Sequence, residues 1–184
     1  MSGRARVFIA CSLDGFIAGP GDDLSWLPPP PVDADGKPVS DFGYAAFMAE
    51  VGALLMGRNT YEVVAGFGGE WPYGAKPVLV ATTRPLAPVS PTVRAVTGDA
   101  ATLLAAAREA AGVRDVYVDG GVLIRQLLAA GLIDEMIVSI IPIVLGAGAP
   151  LFAGLPERCA LECLRAEHLP GGLVQVTYRP VSRA

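Results

Sequence analysis

Short apolar runs alternate along the chain with longer segments in which apolar residues recur at helical spacing. Short runs bounded by glycine, proline or polar clusters are typical of buried strands, and helical spacing is typical of helices that cover a sheet. The alternation of the two patterns predicts an α/β domain. The sequence shows neither an internal repeat nor a sign of a second domain, so we expect one domain over residues 1–184.

The pattern predicts a series of strands that ends in a closing strand pair. The first predicted strands are residues 6–12, 53–56, 78–81, 93–97, 115–118 and 135–143. Two alternating segments, residues 161–168 and 173–179, predict the antiparallel pair. The predicted helices are residues 42–51, 59–64, 98–112 and 122–131. Proline, glycine and aspartate are frequent in residues 19–40, which predicts a long irregular loop.

Composition and charge narrow the class of protein. Apolar residues make up 52% of the chain and charged residues 17%, as in a packed globular protein. The net charge of -4, without a basic run, argues against a nucleic-acid partner. The longest apolar stretch, residues 136–145, is interrupted by Ser139 and Pro142 and is shorter than the roughly 20 residues that span a bilayer. The first residues lack the pattern of a secretory signal, so we expect a cytoplasmic protein without membrane contact.

The cysteines and the single histidine predict no metal site. Cys11, Cys159 and Cys163 form neither a disulfide framework nor a CxxC pair. A zinc site would lack obvious further ligands, because His168 is the one histidine of the chain. We therefore interpret the cysteines as structural thiols.

Three predicted strand ends carry glycine or hydroxyl residues where the chain turns: residues 57–60, 82–84 and 120–121. Open sheets bind ligands outside the carboxyl ends of parallel strands, and a helix N-terminus there offers free N–H groups to phosphate. Glycine lets a ligand approach the backbone closely, and Arg58 adds a fixed positive charge. One glycine pair alone is often only a turn, and no strand-linked GxGxxG is present. Together, the three ends predict a ligand with several phosphates, such as a dinucleotide.

Four sequence segments carry a resemblance to a known family. GRNTYE at residues 57–62 resembles the Gly-Arg-x-Thr-aromatic-Glu motif of dihydrofolate reductases. SLDGFIA at residues 12–18, DGG at residues 119–121 and LGAGAPLF at residues 145–152 are more similar to the reductase domain of the bifunctional deaminase-reductase of riboflavin biosynthesis and its stand-alone relatives. The resemblance runs from about residue 7 to residue 152. It implies the dihydrofolate reductase-like fold, with a mostly parallel central sheet, helices on both faces and NADPH as cofactor.

The resemblance also implies cofactor-binding positions. Ala10 and Ile17 would flank the nicotinamide, and residues 57–60 would bind phosphates. Residues 82–84 would lie near the adenosine 2′-phosphate, and residues 120–123 would hold the pyrophosphate. The positions are Ala10, Ile17, Gly57, Arg58, Asn59, Thr60, Thr82, Thr83, Arg84, Gly120, Gly121, Val122 and Leu123.

Candidates for proton transfer and substrate binding are carboxylates and aromatic residues near these segments. The catalytic candidates are Asp41 and Asp119. Asp41 has the spacing to Gly57 of the folate-binding carboxylate of dihydrofolate reductases, and its alternative role is a helix N-cap. Asp119 replaces the glutamate of the riboflavin-type Glu-Gly-Gly. The substrate-binding candidates are Asp14, Trp26 and Tyr44, where Asp14 has the alternative role of shaping a turn and Trp26 that of anchoring its loop.

The resemblance implies an NADPH-dependent reductase that transfers a hydride to a small pterin-like or pyrimidine-like heterocycle. Because the chain lacks the zinc motif of the deaminase, we expect a stand-alone reductase. The alternatives are dihydrofolate reductase proper and an NADPH-binding module without catalysis. The apolar excess and the long apolar strand before residue 145 also favour a homodimer over a monomer.

Overall fold

A central sheet organises the part of the chain that the computed structural model describes, which is residues 3–29, 31–32, 34–36 and 40–181. The strands are β1 (Ala5–Ser12), β2 (Phe16–Ala18), β3 (Val51–Gly57), β4 (Val78–Ala81), β5 (Val93–Val96), β6 (Asp115–Asp119), β7 (Glu135–Ile141), β8 (Ala149–Pro150), β9 (Leu161–Leu169) and β10 (Leu173–Pro180). The helices are α1 (Tyr44–Glu50), α2 (Arg58–Gly66), α3 (Ala100–Ala111) and α4 (Gly121–Ala129).

The sheet is parallel except at its C-terminal edge. Its order is β5-β4-β3-β6-β1-β7-β10-β9, and all neighbours from β5 to β7 are parallel. β10 runs antiparallel to β7, and β9 runs antiparallel to β10. The predicted α/β class, the mostly parallel sheet and the closing antiparallel pair are therefore confirmed. β2 and β8 form a separate antiparallel ribbon that the sequence analysis did not predict.

Helices cover both faces of the sheet, as the alternation of side chains along β3 requires. Leu55 belongs to the core under α3 and α4, whereas Leu54 and Met56 point into the core under α1 and α2. All three side chains have no exposed surface. Two opposite cores of this kind fix the register of the central strands, because a slip of one residue would exchange the two faces.

Element boundaries differ from the prediction where backbone conformation overrides the apolar pattern. Helix α1 begins at Tyr44 and not at Phe42, because Phe42 and Gly43 have positive φ values of 57° and 86°. β7 ends at Ile141, two residues earlier than predicted, because Pro142 has no N–H with which to continue the ladder.

The described part of the predicted 19–40 loop contains one short 3-10 turn, Pro20–Asp22, and no α-helix. Residues 30, 33 and 37–39 of this loop lie outside the described residues. Across all the described residues of the chain, no helix is long and apolar enough to cross a bilayer. The homodimer stays a prediction, and we propose the exposed edge strand β9 as the surface to examine for it.

A buried arginine holds the amino-terminal end of the sheet together. Arg6, on β1, is only 7% exposed. Its guanidinium donates to Glu135 Oε1 at 2.8 Å and to Asp115 Oδ2 at 3.2 Å, and it also pairs with Glu50. The same group lies 5.0 Å from the centre of the Phe47 ring. One side chain thereby connects β1, β6, β7 and α1.

Replacing Arg6 should lower the free energy of unfolding. In Arg6→Ala, Asp115 and Glu135 would stay partly buried without their main cation, so we expect the free energy of unfolding to fall by about 3–5 kcal/mol. Arg4 pairs with the same carboxylates but has a side chain that is 51% exposed, so Arg4→Ala is the matched control with an expected loss of about 0–1 kcal/mol. Urea unfolding of both variants measures the difference, and equal losses would contradict the assigned role of Arg6.

Candidate functional site

A cleft of about 650 Å³ opens at the carboxyl ends of the central parallel strands. Its walls come from β1, β3, β6, the first turns of α2 and α4, and the β2–β8 ribbon. Of the predicted site residues, the cleft is lined by Ala10, Ile17, Gly57, Arg58, Asn59, Thr60, Asp119, Gly120, Gly121, Val122 and Leu123. A cleft of this size at this edge of a sheet suits a small-molecule ligand.

Two of the three predicted strand-end corners, residues 57–60 and 120–121, lie side by side in the cleft. In the parallel register, Met56 pairs with Asp119, so the turns that follow β3 and β6 lie next to each other. Gly120 has a φ of 93°, which favours glycine, and an added Cβ would overlap the Thr60 hydroxyl. A side chain at position 120 would have to displace the Thr60 side chain and adopt an unfavourable φ. The close approach brings the N-termini of α2 and α4 next to each other at the cleft.

The third wall is the β2–β8 ribbon, which packs against the start of α4. A Cβ at Gly121 would lie 2.6 Å from the Pro150 carbonyl oxygen and 3.3 Å from Ile17 Cδ1. Arg125, one turn further along α4, donates from Nη1 to the same carbonyl at 2.5 Å. Sequence reasoning missed Arg125, because its partner lies on a two-residue strand that carries no detectable pattern.

The corner at residues 82–84 lies beside the cleft but is not part of its lining. It follows Ala81, which lines the cleft and pairs with Gly57 across the sheet. Arg84 is exposed, and its N–H donates to Thr82 Oγ1 at 3.2 Å. Thr83, between them, is exposed as well. A ligand that reaches this corner must extend beyond the cleft.

Arg58 lines the cleft and is held in place on two sides. Its Nε donates to Glu62 Oε1 at 2.6 Å, one turn along α2. Its Nη1 donates to the Pro85 carbonyl at 2.8 Å, in the segment after β4. The Arg58 guanidinium thus links the corner at residues 57–60 to the segment after β4, and its positive charge stays at the start of α2.

Asp119 ends β6 inside the cleft and is surrounded by tyrosines. Its Oδ1 accepts the Gly120 N–H at 2.8 Å, yet burial raises the pKa of this carboxyl to about 6. Burial and the Asp119 charge together raise the pKa values of Tyr44, Tyr73 and Tyr117. These shifts mean that a carboxyl able to titrate near neutral pH lies among phenols that stay protonated.

The described structure does not bring Asp41 into the cleft. Its side chain is exposed, and its two oxygens accept the N–H groups of Gly43 at 3.0 Å and Ala45 at 2.6 Å. These bonds lower the pKa of the Asp41 carboxyl. These contacts match the alternative interpretation of Asp41, a cap at the start of α1.

The three substrate-binding candidates, Asp14, Trp26 and Tyr44, also lie outside the cleft lining. Asp14 accepts the Ser12 hydroxyl at 2.6 Å and the N–H groups of Leu145 and Gly146 at 3.1 and 2.7 Å, which lowers the pKa of its carboxyl. It therefore shapes the turn after β1, as its alternative role required. Trp26 donates to the Asp23 carbonyl at 3.0 Å and anchors its own loop, which reaches the cleft through other residues, Asp22, Leu24 and Leu27.

Tyr73 and Tyr117 line the cleft, although neither was selected from the sequence. Tyr117 stands two positions before Asp119 in β6, so strand alternation puts both side chains on one face. That signal was present in the sequence. Tyr73 follows α2 in an irregular glycine-rich segment, where no periodicity could have placed it.

Comparisons with known proteins agree with this geometry. The sequence profile of the RibD C-terminal domain matches residues 5–175. The chain is 31% identical over 179 residues to the uncharacterised protein YwjB of Bacillus subtilis strain 168, and the alignment covers 97% of this chain and 98% of YwjB.

Two solved structures have the same fold. A protein from Shewanella sp. PV-4 that is named for riboflavin biosynthesis superposes with a TM-score of 0.85 at 37% identity, covering 99% of this chain and 100% of that one. Dihydrofolate reductase from Enterococcus faecalis, solved with NADP(H), superposes with a TM-score of 0.63 at 17% identity, covering 99% of both chains. The predicted dihydrofolate reductase-like fold and the resemblance to riboflavin-type reductases are therefore confirmed.

The contact between Gly120 and Thr60 can be tested by adding one methyl group. Gly120→Ala places a Cβ against Thr60 at a positive φ, so we expect it to lower the free energy of unfolding by about 1–3 kcal/mol. Gly57→Ala is the matched control, because Gly57 has a φ of -73° and a Cβ there meets nothing within 4 Å. Its effect should stay within about 1 kcal/mol. Urea unfolding compares the two, and a Gly120→Ala protein as stable as the control would disprove the contact.

Proposed function

The chain belongs to the RibD C-terminal domain family, and we propose that it is an NADPH-dependent reductase of a small planar heterocycle. The observation that carries the proposal is the combination found in one cleft. The glycines at positions 57, 120 and 121 lie beside the half-buried carboxyl of Asp119, whose pKa burial raises to about 6. The first feature suits the phosphates of a dinucleotide, and the second suits proton transfer to a substrate.

The residues present fit NADPH, because the cradle is one that any Cβ at positions 120 or 121 would fill. Gly57, Thr60, Gly120 and Gly121 would hold the phosphates at the N-termini of α2 and α4. Ala10 and Ile17 supply apolar surface for the nicotinamide at the ends of β1 and β2. NADPH supplies the hydride when bound, and the protein contributes orientation and a proton source.

Asp119 is the proton donor that we assign. Hydride transfer to a C=N, C=C or C=O bond leaves the substrate one proton short, and a general acid near neutral pH delivers that proton efficiently. Asp119 is the one carboxyl that lines the cleft inside the sheet, because the other acidic lining residue in the described part of the chain, Asp22, lies exposed on the loop after β2. The phenols of Tyr44, Tyr73 and Tyr117 keep its surroundings uncharged.

Two alternatives receive less support. The first is dihydrofolate reductase proper, which the sequence suggested through Asp41 as a match to the folate-binding carboxylate. In the structure, the Asp41 carboxylate instead caps α1 outside the cleft. A binding module without catalysis would not need a buried carboxyl with a raised pKa at the cleft. The named role of the Shewanella relative supports a place in riboflavin biosynthesis, and we propose that pathway for the reaction.

The cofactor proposal predicts a specific loss in one variant. We expect micromolar NADPH binding by fluorescence titration, and at least tenfold weaker binding in Arg84→Ala because one charged contact to the 2′-phosphate disappears. NADH, which lacks that phosphate, should bind weakly and equally to both proteins. Arg94→Ala removes another exposed arginine, on β5, and serves as the control. If neither NADPH nor NADH binds the unaltered protein, the reductase proposal fails.

The acid role of Asp119 predicts the direction of a pH dependence. Its carboxyl has a pKa of about 6 in the folded protein, so the protonated acid is lost as pH rises above that value. We expect single-turnover NADPH oxidation, screened first with dihydrofolate as acceptor, to slow about tenfold per pH unit above pH ~6. Asp119→Asn should be slow and lack this dependence. A wild-type profile that is flat, or that rises with pH, would contradict the assignment.

Stability gives a second readout of Asp119 that needs no substrate. An unfolded aspartate has a pKa of about 3.9, so between pH ~4 and ~6 the unfolded chain loses this proton while the folded protein keeps it. Wild-type stability relative to Asp119→Asn should therefore fall across that window and stay level above it. A constant difference in the free energy of unfolding would mean that the pKa is not raised.

A further inference from the structure

The Tyr73 hydroxyl is a hydrogen-bonding group that the fold leaves without a partner. Tyr73 is only 8% exposed and lines the cleft, yet within the described part of the chain no residue bonds its hydroxyl. The other two buried tyrosines are satisfied: Tyr61 donates to the Ala87 carbonyl at 2.8 Å, and Tyr117 donates to the Phe8 carbonyl at 2.8 Å. A donor of this kind is available to pair with a ligand or water.

The unpartnered hydroxyl is not fully enclosed by the described residues, and Tyr73 lines the cleft. The fully buried side-chain atoms without a partner in the described residues are Trp71 Nε1 and Arg108 Nε, and the Tyr73 oxygen is not one of them. The exposed part of Tyr73 therefore includes its hydroxyl, and the cleft is the space that it reaches. A group bound in the cleft could accept its proton.

The Tyr73 ring is held rigidly before any ligand arrives. The Trp71 ring meets it edge-on, with centroids 5.2 Å apart and an interplanar angle of 86°. Trp71 contacts Tyr61 in turn at 6.0 Å, and the Tyr61 hydroxyl is fixed by two backbone groups. A donor fixed in this way loses little conformational entropy when a ligand binds.

Tyr73 and Asp119 act on the same region of the cleft with different chemistry. The Asp119 charge contributes to the raised pKa of Tyr73, which means that the carboxylate and the phenol interact electrostatically. The phenol stays a donor at all physiological pH values, whereas Asp119 changes its protonation near pH 6. Phe8 and Ile9 supply apolar surface for the same cleft. A fixed donor, a titrating acid and an apolar wall suit a flat ring with a polar edge.

Resting on the proposed function, we infer that Tyr73 binds the substrate, donating a hydrogen bond to a carbonyl or ring-nitrogen acceptor of a planar heterocycle while Asp119 faces the adjacent position. The substrate class is a ring with an amide-like edge, in which an acceptor stands next to an N–H group. Tyr73 orients this edge, and Asp119 exchanges the proton.

The test compares two tyrosine-to-phenylalanine variants in ring binding. Pterin and lumazine, two fluorescent heterocycles with such an edge, are titrated into the protein with saturating NADP⁺. Tyr73→Phe keeps the ring and removes only the hydroxyl, so we expect about tenfold weaker binding of the heterocycle and unchanged binding of NADP⁺. Tyr178→Phe is the matched control, because Tyr178 packs under the sheet away from the cleft lining. It should change neither affinity.

The outcomes separate this inference from the proposed function. If NADP⁺ does not bind the wild type, the reductase proposal fails, and ring binding without NADP⁺ then tests Tyr73 by itself. If NADP⁺ binds but the wild type binds neither heterocycle, or Tyr73→Phe binds them as tightly as the wild type does, the inference about Tyr73 is overturned. A loss of NADP⁺ and ring binding together would show that the hydroxyl is structural, which overturns it as well.

Discussion

The approach of Gly120 to Thr60 is the contact on which the cleft depends. The parallel register of β3 and β6 brings the two strand ends level, but only a residue without a side chain allows the following turns to touch. With that contact made, the first turns of α2 and α4 direct their free N–H groups at one space. The glycine at 121 then admits the β2–β8 ribbon in the same way, and the cleft has its third wall.

The two ends of β6 show how position decides what a carboxylate does. Asp115, at the start of the strand, pairs with Arg4 and Arg6 and helps to join three strands. Asp119, at the end of the same strand, forms no ion pair within the described residues and is surrounded by phenols. Four positions apart on one strand, the same type of side chain forms ion pairs at one end and, in our proposal, supplies a proton at the other. The carboxylate at the amino-terminal end of the sheet is neutralised by arginines, whereas the one at the carboxyl-terminal end is not.

Sequence reasoning predicted the strands and the glycines at the ends of β3 and β6 because these depend on local patterns. Strand alternation and the glycine at a strand end are visible in a few consecutive residues, and Gly120 approaches Thr60 because β3 and β6 are adjacent. Asp41 was ambiguous for the same local reason, since an aspartate before a helix suits both a cap and a site, and only the fold shows which N–H groups it accepts. Tyr73 could not be predicted because it lies in an irregular segment without periodicity. The bond from Arg125 to Pro150 could not be predicted because it joins residues 25 positions apart.

The charge distribution in the cleft bears on the kind of substrate it accepts. The cations that line it in the described part of the chain are Arg58 and Arg125, and both lie on the helices that would hold the cofactor phosphates. Around Asp119 the polar groups are phenols and one carboxyl, so a substrate phosphate would find no cation there and would be repelled whenever Asp119 is ionised. An uncharged ring avoids both penalties, because it offers Asp119 and Tyr73 hydrogen bonds without bringing a second charge into a buried space. The geometry therefore favours an uncharged ring as the group that lies beside Asp119.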